Sequence, residues 1–219
     1  EVFRDGLLTA RDKHLIAAAV HATFGRERAV EVHLREAYKL GATFADVVEV
    51  AMPLLLSHGL SAWGCVVAQA RSINALARHE LEVDTRLPSP PANDRGLVLK
   101  ELTWEDDKAL RAYYQAQSGS VPEWVNSLQR QCRGFLTGYT RIRAIALSDG
   151  RLPRKLKELV LVACHAAHRF EKGTVMHAEA ARRANASEAE VGEALLVAVT
   201  AAGIPAWLNF YHLTDTQSR

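Results

Sequence analysis

Apolar residues recur along this chain at the spacing of an α-helix. In the stretch FGRERAVEVHLREA, residues 24–37, Val30, His33 and Ala37 share one face, because side chains three and four positions apart are neighbours on a helix. A similar pattern begins at Pro153, a residue that is favourable in the first turn of a helix. No segment has the alternating pattern of a strand. The sequence therefore predicts an all-α fold.

Two capping boxes predict helix starts. Thr43 with Asp46, and Ser187 with Glu190, have the spacing at which a hydroxyl and a carboxylate satisfy backbone N–H groups reciprocally. Pro53 falls inside the helix that Thr43 starts, and we expect it to kink or split that helix. Further helices are predicted over about 61–79, 103–117, 122–146, 153–168, 171–184 and 187–203.

An internal repeat relates the two ends of the chain. With an offset of 144 positions, the segments that begin at Asp5 and Asp149 align without a gap as far as Trp63 and Trp207, with about 18 identities in 59 positions. The identical pairs include Gly6/Gly150, Lys13/Lys157, His21/His165, Glu27/Glu171, His33/His177, Glu49/Glu193 and Gly59/Gly203. We expect a first repeat over 1–81, a linker over 82–101 that is rich in Pro, Asn and Asp, and a second repeat over 102–219.

Charge and cysteine content narrow the possible functions. Lys and Arg number 27 against 25 Asp and Glu, which argues against nucleic acid or an anionic membrane as the main partner. Cys65, Cys132 and Cys164 are far apart and form no C-x-x-C motif, which favours a reducing, cytoplasmic setting. The longest apolar region, residues 51–70, is interrupted by polar residues and a proline, so we expect no membrane span.

The repeat unit resembles the carboxymuconolactone decarboxylase and alkylhydroperoxidase D-like superfamily. The motifs that carry the resemblance are GRERAVEVHLREAYKLGAT in the first repeat, and DGRLPRKLKELVLVA with MHAEAARRANASEAEV in the second. The resemblance implies a duplicated alkylhydroperoxidase D-like helical bundle that assembles as a homotrimer with a pseudo-hexameric ring. It also implies a small-molecule substrate and no cofactor.

Peroxidase members of this superfamily carry a Glu, a cysteine twelve residues later, a second cysteine three later, and a His four after that. In the second repeat these positions hold Glu158, Phe170, Gly173 and His177. In the first repeat they hold His14, Arg26, Ala29 and His33. Both repeats lack both thiols. Disulfide-based peroxide reduction needs a thiolate and a resolving thiol, so we do not expect it here.

The first repeat is instead similar to the cysteine-free decarboxylases, in which a Gly-Arg-Glu turn leads into a helix bearing His-Leu-Arg. On this resemblance we expect proton transfer on a small carboxylated lactone or related ring compound, because imidazole suits proton transfer and guanidinium suits carboxylate binding. The expected catalytic residues are His177, His33 and Glu158. The expected substrate-binding residues are Arg26, Arg35, His165, Phe170 and Trp207, with either Arg26 or Arg35 as the carboxylate anchor.

Several alternatives stay open at the level of sequence. The recurring histidines are either site residues or core residues bonded to the backbone. His165 with His168 has a spacing that can chelate a metal, although a polar helix end explains the pair more simply and we expect no metal site. The basic run over 151–157 is expected to be a solvated face, and Trp63 and Trp207 to be packing anchors. The rival functions are a thiol-independent oxidoreductase and a non-catalytic ring-forming protein whose pocket Phe170 fills.

Overall fold

The computed structural model describes residues 1–78, 107–208 and 210. These residues form eleven helices and no strand, so the predicted all-α fold is confirmed. The helices are α1 Ala10–Thr23, α2 Glu27–Lys39, α3 Phe44–Ala51, α4 Leu54–Ser57, α5 Gly59–Arg78, α6 Asp107–Ser118, α7 Glu123–Gln131, α8 Arg133–Ala146, α9 Arg154–Ala167, α10 Glu171–Arg183 and α11 Glu188–Ala202. None of these helices is long and apolar enough to cross a membrane.

The helices predicted over 153–168, 171–184 and 187–203 are confirmed to within one or two residues at each end. The last residue of the helix predicted over 61–79 and the first four of the helix predicted over 103–117 lie outside the described residues. The capping boxes at Thr43 and Ser187 are formed, with each hydroxyl accepting a hydrogen bond from the backbone N–H three residues on. Pro53 separates α3 from α4, because a proline in the helix interior removes a hydrogen bond and its ring clashes with the preceding turn.

One predicted helix, over 122–146, is wrong. The chain leaves the helical conformation at Cys132, with φ −154° and ψ 74°, and two helices, α7 and α8, result. The break lets the two helices pack against each other, which places Val125 and Leu136 in one apolar cluster with Leu110 and Tyr114 of α6. Burying this cluster favours two short helices over one straight helix.

The chain divides into two compact units. One comprises Glu1–Thr85 with Asp149–Arg219, and the other comprises Arg86–Ser148. The first unit therefore contains the helices of both copies of the repeated segment, which begin at Asp5 and Asp149, and the second unit contains α6–α8. The predicted repeat boundaries near residues 81 and 102 fall outside the described residues, so that division stays a prediction.

The core of the first unit is built around α1 and α9, the equivalent helices of the two repeats. Residues 15–20 of α1 and 156–167 of α9 are all buried, and the two helices contact each other as well as α11. Each also packs against the next helix of its own repeat, α2 or α10. This pairing fixes the position of the side chains that α1 and α9 present toward α2 and α10.

The basic run over 151–157 is not the solvated face that the sequence suggested. Lys157 is only 1% exposed and lies 2.6 Å from the Glu49 carboxylate of the other repeat. Lys155 pairs with Glu190 at 2.6 Å, and Arg154 pairs with Glu158 at 3.1 Å. A buried cation has to be paired, and acidic side chains of this chain satisfy all three.

Candidate active site

Three histidines of the first repeat lie together where α1 packs on α2. Nδ1 of His14 lies 3.0 Å from Nδ1 of His33 and forms a hydrogen bond with it. The His21 ring stacks on His33 with centroids 5.3 Å apart, and Phe3 stacks on His14 at 4.6 Å. His14 and His21 are seven residues apart on α1 and therefore share the face that meets α2. A glycine at position 25 with φ +65° makes the turn that brings α2 back alongside α1.

All three imidazoles in this cluster resist protonation. Burial, and then the neighbouring His14 and His21, lowers the pKa of His33 to about 4. Burial also lowers the pKa of His14 and of His21. At neutral pH the three rings are therefore uncharged, and each carries one N–H group and one nitrogen lone pair.

A surface depression of about 580 Å³ opens beside His33 at the beginning of α2. Its lining residues are Arg26, Glu27, Arg28, Ala29, Val32 and His33. The Arg26 guanidinium donates a hydrogen bond to the Ala201 carbonyl at 2.7 Å and lies 4.5 Å from the centre of the Phe24 ring. The residues around the depression thus include two arginines, one glutamate, one histidine and two apolar residues.

Arg35, the other predicted carboxylate anchor, does not line this depression. Its guanidinium forms an ion pair with Glu31 at 2.8 Å, one turn earlier on the exposed side of α2. Of the two arginines that the sequence left open, Arg26 is the one beside His33. Arg28 was missed by the sequence analysis, although it lies in the same Gly-Arg-Glu-Arg turn.

The second repeat carries a different pair at the equivalent place. Nδ1 of His177 lies 2.7 Å from Oε2 of Glu158, and the two side chains are 3% and 0% exposed. Arg154 donates to the other carboxylate oxygen, Oε1, at 3.1 and 3.3 Å. Glu158 is buried, and the structure brings it together with His177. When the ring is neutral and Nδ1–H of His177 donates to the carboxylate, its Nε2 is left as a proton acceptor.

His165 and Phe170 lie beside this pair. The His165 ring is 5.0 Å from His177 and 5.3 Å from Phe170, centroid to centroid. Burial, and then His177, lowers the pKa of His165 to about 3. A Cβ atom on Gly173 would meet the Phe170 ring and would lie 2.6 Å from Nδ1 of His165. The two positions that hold thiols in peroxidase members are thus occupied by packed groups, although Phe170 itself remains 53% exposed.

Residues of the first repeat complete the surroundings of the second. The His58 ring lies 5.7 Å from His165 and 4.8 Å from His168, and Phe24 stacks on His168 at 4.2 Å. Nε2 of His168 is also within 2.8 Å of the Thr23 hydroxyl. His58 and Phe24 carry no repeat signal in the sequence, because the residues at the equivalent positions in the other repeat are Ala202 and His168. No self-comparison of the chain could mark them.

The remaining predicted residues lie elsewhere. Trp207 packs against the core of the first unit, as does Trp63. None of the cysteines is in a disulfide, and burial raises the pKa of the fully buried Cys164 thiol. Within residues 1–78 and 107–208, no group of three or more His, Cys, Asp or Glu side chains is placed to hold a metal ion.

A duplicated helical bundle with a histidine at one position of each repeat is the arrangement that the superfamily resemblance implied. The chain belongs to the carboxymuconolactone decarboxylase family, whose sequence model matches residues 1–71 and 133–216. The chain is similar to the crystal structure of a candidate carboxymuconolactone decarboxylase from Burkholderia xenovorans LB400. The identity is 27% over 51% of this chain and 92% of that one, with a TM-score of 0.44. No curated protein matches the chain.

Proposed function

We propose that this protein is a cofactor-free enzyme that acts on a small carboxylated lactone or a related ring compound, with proton transfer at the first-repeat site. The observation that carries the proposal is the shared depression of Arg26 and His33. It supports the proposal because the reaction needs a carboxylate anchor and a proton-transfer group beside one small ring.

The charges around the depression favour an anionic substrate. Arg26 and Arg28 both line it, and the partial positive charge at the beginning of α2 adds to theirs. Glu27 is the one acidic lining residue. Since guanidinium groups bind carboxylates in a bidentate manner, the arginines would hold the substrate carboxylate while the apolar side of Val32 contacts the ring.

His33 then serves as the proton-transfer group. A lactone carboxylate that leaves as carbon dioxide leaves its electron pair conjugated with the lactone carbonyl, and a proton has to be delivered to the ring carbon. The lowered pKa keeps His33 neutral at physiological pH, so it can either accept a proton or donate its ring N–H. Neutrality also avoids fixing a positive charge on the group that has to exchange protons.

The second repeat supports no thiol chemistry in this proposal. Its Glu158–His177 pair corresponds to the proton relay of the peroxidase members, but Phe170 and Gly173 stand where the cysteines would be. We propose that this pair has a proton-transfer or structural role of its own. A homotrimeric ring in a reducing, cytoplasmic setting, which the family resemblance and the three unpaired cysteines support, is likewise proposed.

The test is turnover of γ-carboxymuconolactone and related lactones by the purified protein, followed as carbon dioxide release and ring opening. We expect His33→Ala to lower kcat by about 10²- to 10⁴-fold, the usual contribution of a general acid or base. Arg26→Ala and Arg28→Ala should raise KM, whereas the matched control Arg35→Ala should not.

Loss of activity in His177→Ala but not in His33→Ala would move the chemistry to the second repeat. Absence of turnover on every lactone tried would reject the proposal in favour of the oxidoreductase or non-catalytic alternatives. Light scattering of the same sample would give the number of subunits.

A further inference from the structure

We propose that His14 is a positioning residue for His33, and that the first repeat works through a neutral imidazole–imidazole pair in place of a carboxylate–imidazole pair. The inference takes its substrate from the proposed function, whereas the hydrogen bond between the two rings is observed in the structure. Both residues belong to the first unit and meet where α1 packs on α2.

The hydrogen bond between the two rings restricts where their hydrogens are. Because it joins Nδ1 to Nδ1 at 3.0 Å, one ring carries its hydrogen on Nδ1 and the other accepts with a lone pair. If His14 donates, His33 carries its own hydrogen on Nε2 and is a proton donor there. If His33 donates, its Nε2 carries a lone pair and acts as a base. The position of one shared hydrogen therefore sets the role of His33.

This arrangement gives a balanced route for the proton that replaces the carboxylate. The Nε2–H bond of His33 breaks as its hydrogen joins the ring carbon that holds the electron pair left by carbon dioxide. The hydrogen on Nδ1 of His14 moves to Nδ1 of His33, so His33 remains neutral. His14 takes up a proton from solvent at its own Nε2, and the net reaction consumes one proton from solvent. The pair is then in the opposite tautomer. Return of the shared hydrogen to Nδ1 of His14, with loss of its Nε2 hydrogen to water and uptake of one from water at Nε2 of His33, restores the starting state.

The packing around the pair holds it in this geometry. Phe3 stacks on His14 with an interplanar angle of 21° and lies 5.0 Å from His33, while His21 stacks on the His33 ring at 13°. The charge of Glu36 on α2 acts to raise the pKa of both rings of the pair. The charge of Arg26 acts on the neighbouring His21, whose pKa it lowers. Burial outweighs the effect of Glu36 on both rings.

The second repeat is an internal comparison for this proposal. There the equivalent of His14 is Glu158, and its charge is balanced by Arg154 four residues earlier. The first-repeat equivalent of Arg154 is Ala10, so the anion and its cation are both absent. A carboxylate at position 14 would lie near the depression without that partner and would repel an anionic substrate. The neutral pair adds no further negative charge beside Arg26 and Arg28.

The experiment is nitrogen-15 NMR of the histidine rings in the full-length protein, which distinguishes the two tautomers and the protonated ring. In the wild type we expect His14 and His33 to be neutral at pH 7 and to occupy complementary tautomers. In His14→Glu the carboxylate should raise the pKa of His33 by one pH unit or more. The double variant Ala10→Arg/His14→Glu, which reproduces the second-repeat arrangement, provides the measurement if the single variant does not fold.

Kinetics on the same variants separate positioning from simple packing. His14→Gln can keep a hydrogen bond to His33 but cannot pass a proton, so we expect kcat to fall at least about tenfold with KM little changed. His14→Glu should raise KM for an anionic lactone. Identical tautomers in the wild type, an unshifted pKa of His33 in both Glu variants, or wild-type kcat in His14→Gln would each overturn the inference. If no lactone is turned over, the NMR result still decides whether the pair exists, so the two proposals fail separately.

Discussion

Glu49 of the first repeat forms an ion pair of 2.6 Å with Lys157 of the second. At the equivalent positions, Glu193 of the second repeat pairs with Lys13 of the first at 3.0 Å. The carboxylates also accept backbone N–H groups of the other repeat, Glu49 from Leu152 and Glu193 from Leu7 and Leu8. Each lysine directly precedes a residue of the candidate site, His14 or Glu158. These reciprocal ion pairs therefore hold each site residue in place through a carboxylate of the opposite repeat.

Removing one partner of either ion pair should lower the stability of the protein. Glu49→Gln removes the carboxylate that pairs with the buried Lys157, and we expect a loss of about 3 kcal/mol in the free energy of unfolding, measured by urea denaturation. Glu193→Gln should cost less, because the side chains of Glu193 and Lys13 are 23% and 6% exposed against 19% and 2% for Glu49 and Lys157. A loss below about 0.5 kcal/mol in Glu49→Gln would mean that the pair behaves as a surface ion pair.

Stability should fall as the pH drops from about 6.5 toward 4. The pKa values of His33 and His58 are lowered to about 4 and that of His165 to about 3, by burial first and by neighbouring histidines second. In this window the unfolded chain binds protons that the native protein does not, so unfolding becomes more favourable as the pH falls. Urea midpoints measured from pH 7.5 to 4.5 test this.

His165→Gln should flatten that pH dependence, because it removes the most buried of the three rings. An equal slope in His165→Gln and in the wild type would contradict the assignment.

Gly173→Ala should destabilise the protein by about 1–3 kcal/mol, the usual cost of overpacking. The added methyl group would meet the Phe170 ring and the imidazole of His165, both of which lie over this glycine. Phe170→Ala/Gly173→Ala should recover part of the loss by making room. Gly192→Ala on α11 is the matched control, because a Cβ there meets nothing within 4 Å.

Tyr114→Phe should lower the stability of the α6–α8 unit by about 1 kcal/mol. The buried Tyr114 hydroxyl forms a hydrogen bond of 3.0 Å with the Thr140 hydroxyl, which itself donates to the Leu136 carbonyl at 2.7 Å. Loss of the Tyr hydroxyl removes one buried hydrogen bond and leaves the second in place. Hydrogen exchange of the α8 amides would detect the change, and unchanged protection there would count against this account.

The sequence predicted the elements of this fold well because their signals are local. Capping at Thr43 and Ser187, the proline at 53 and the glycine at 203 each act within one or two helical turns. The break at Cys132 has no such local signal, since it depends on α7 packing against α8. Tertiary packing decides between one helix and two where no capping residue or proline intervenes.

The candidate site was predictable as far as the internal repeat marks it. His33, His177 and Glu158 follow from the repeat and from the family resemblance, but the His14–His33 hydrogen bond depends on how α1 lies against α2. Lys157 was misinterpreted because its partner, Glu49, is 108 residues away in the chain. The identities Lys13/Lys157 and Glu49/Glu193 were visible, yet sequence comparison alone does not say that each lysine pairs with the glutamate of the opposite repeat.

The reciprocal glutamate–lysine ion pairs also have the form of a subunit interface. In a two-fold homodimer, a residue i of one subunit contacts a residue j of the other, and residue j of the first subunit contacts residue i of the second. The two ion pairs have this relation. Gly6 and Gly150 fit the same pattern, because each lies against the carboxylate that arrives from the other repeat, where a Cβ would collide with it. The two repeats thus meet within one polypeptide as two subunits of a two-fold dimer would, while their histidines keep different partners, His14 for His33 and Glu158 for His177.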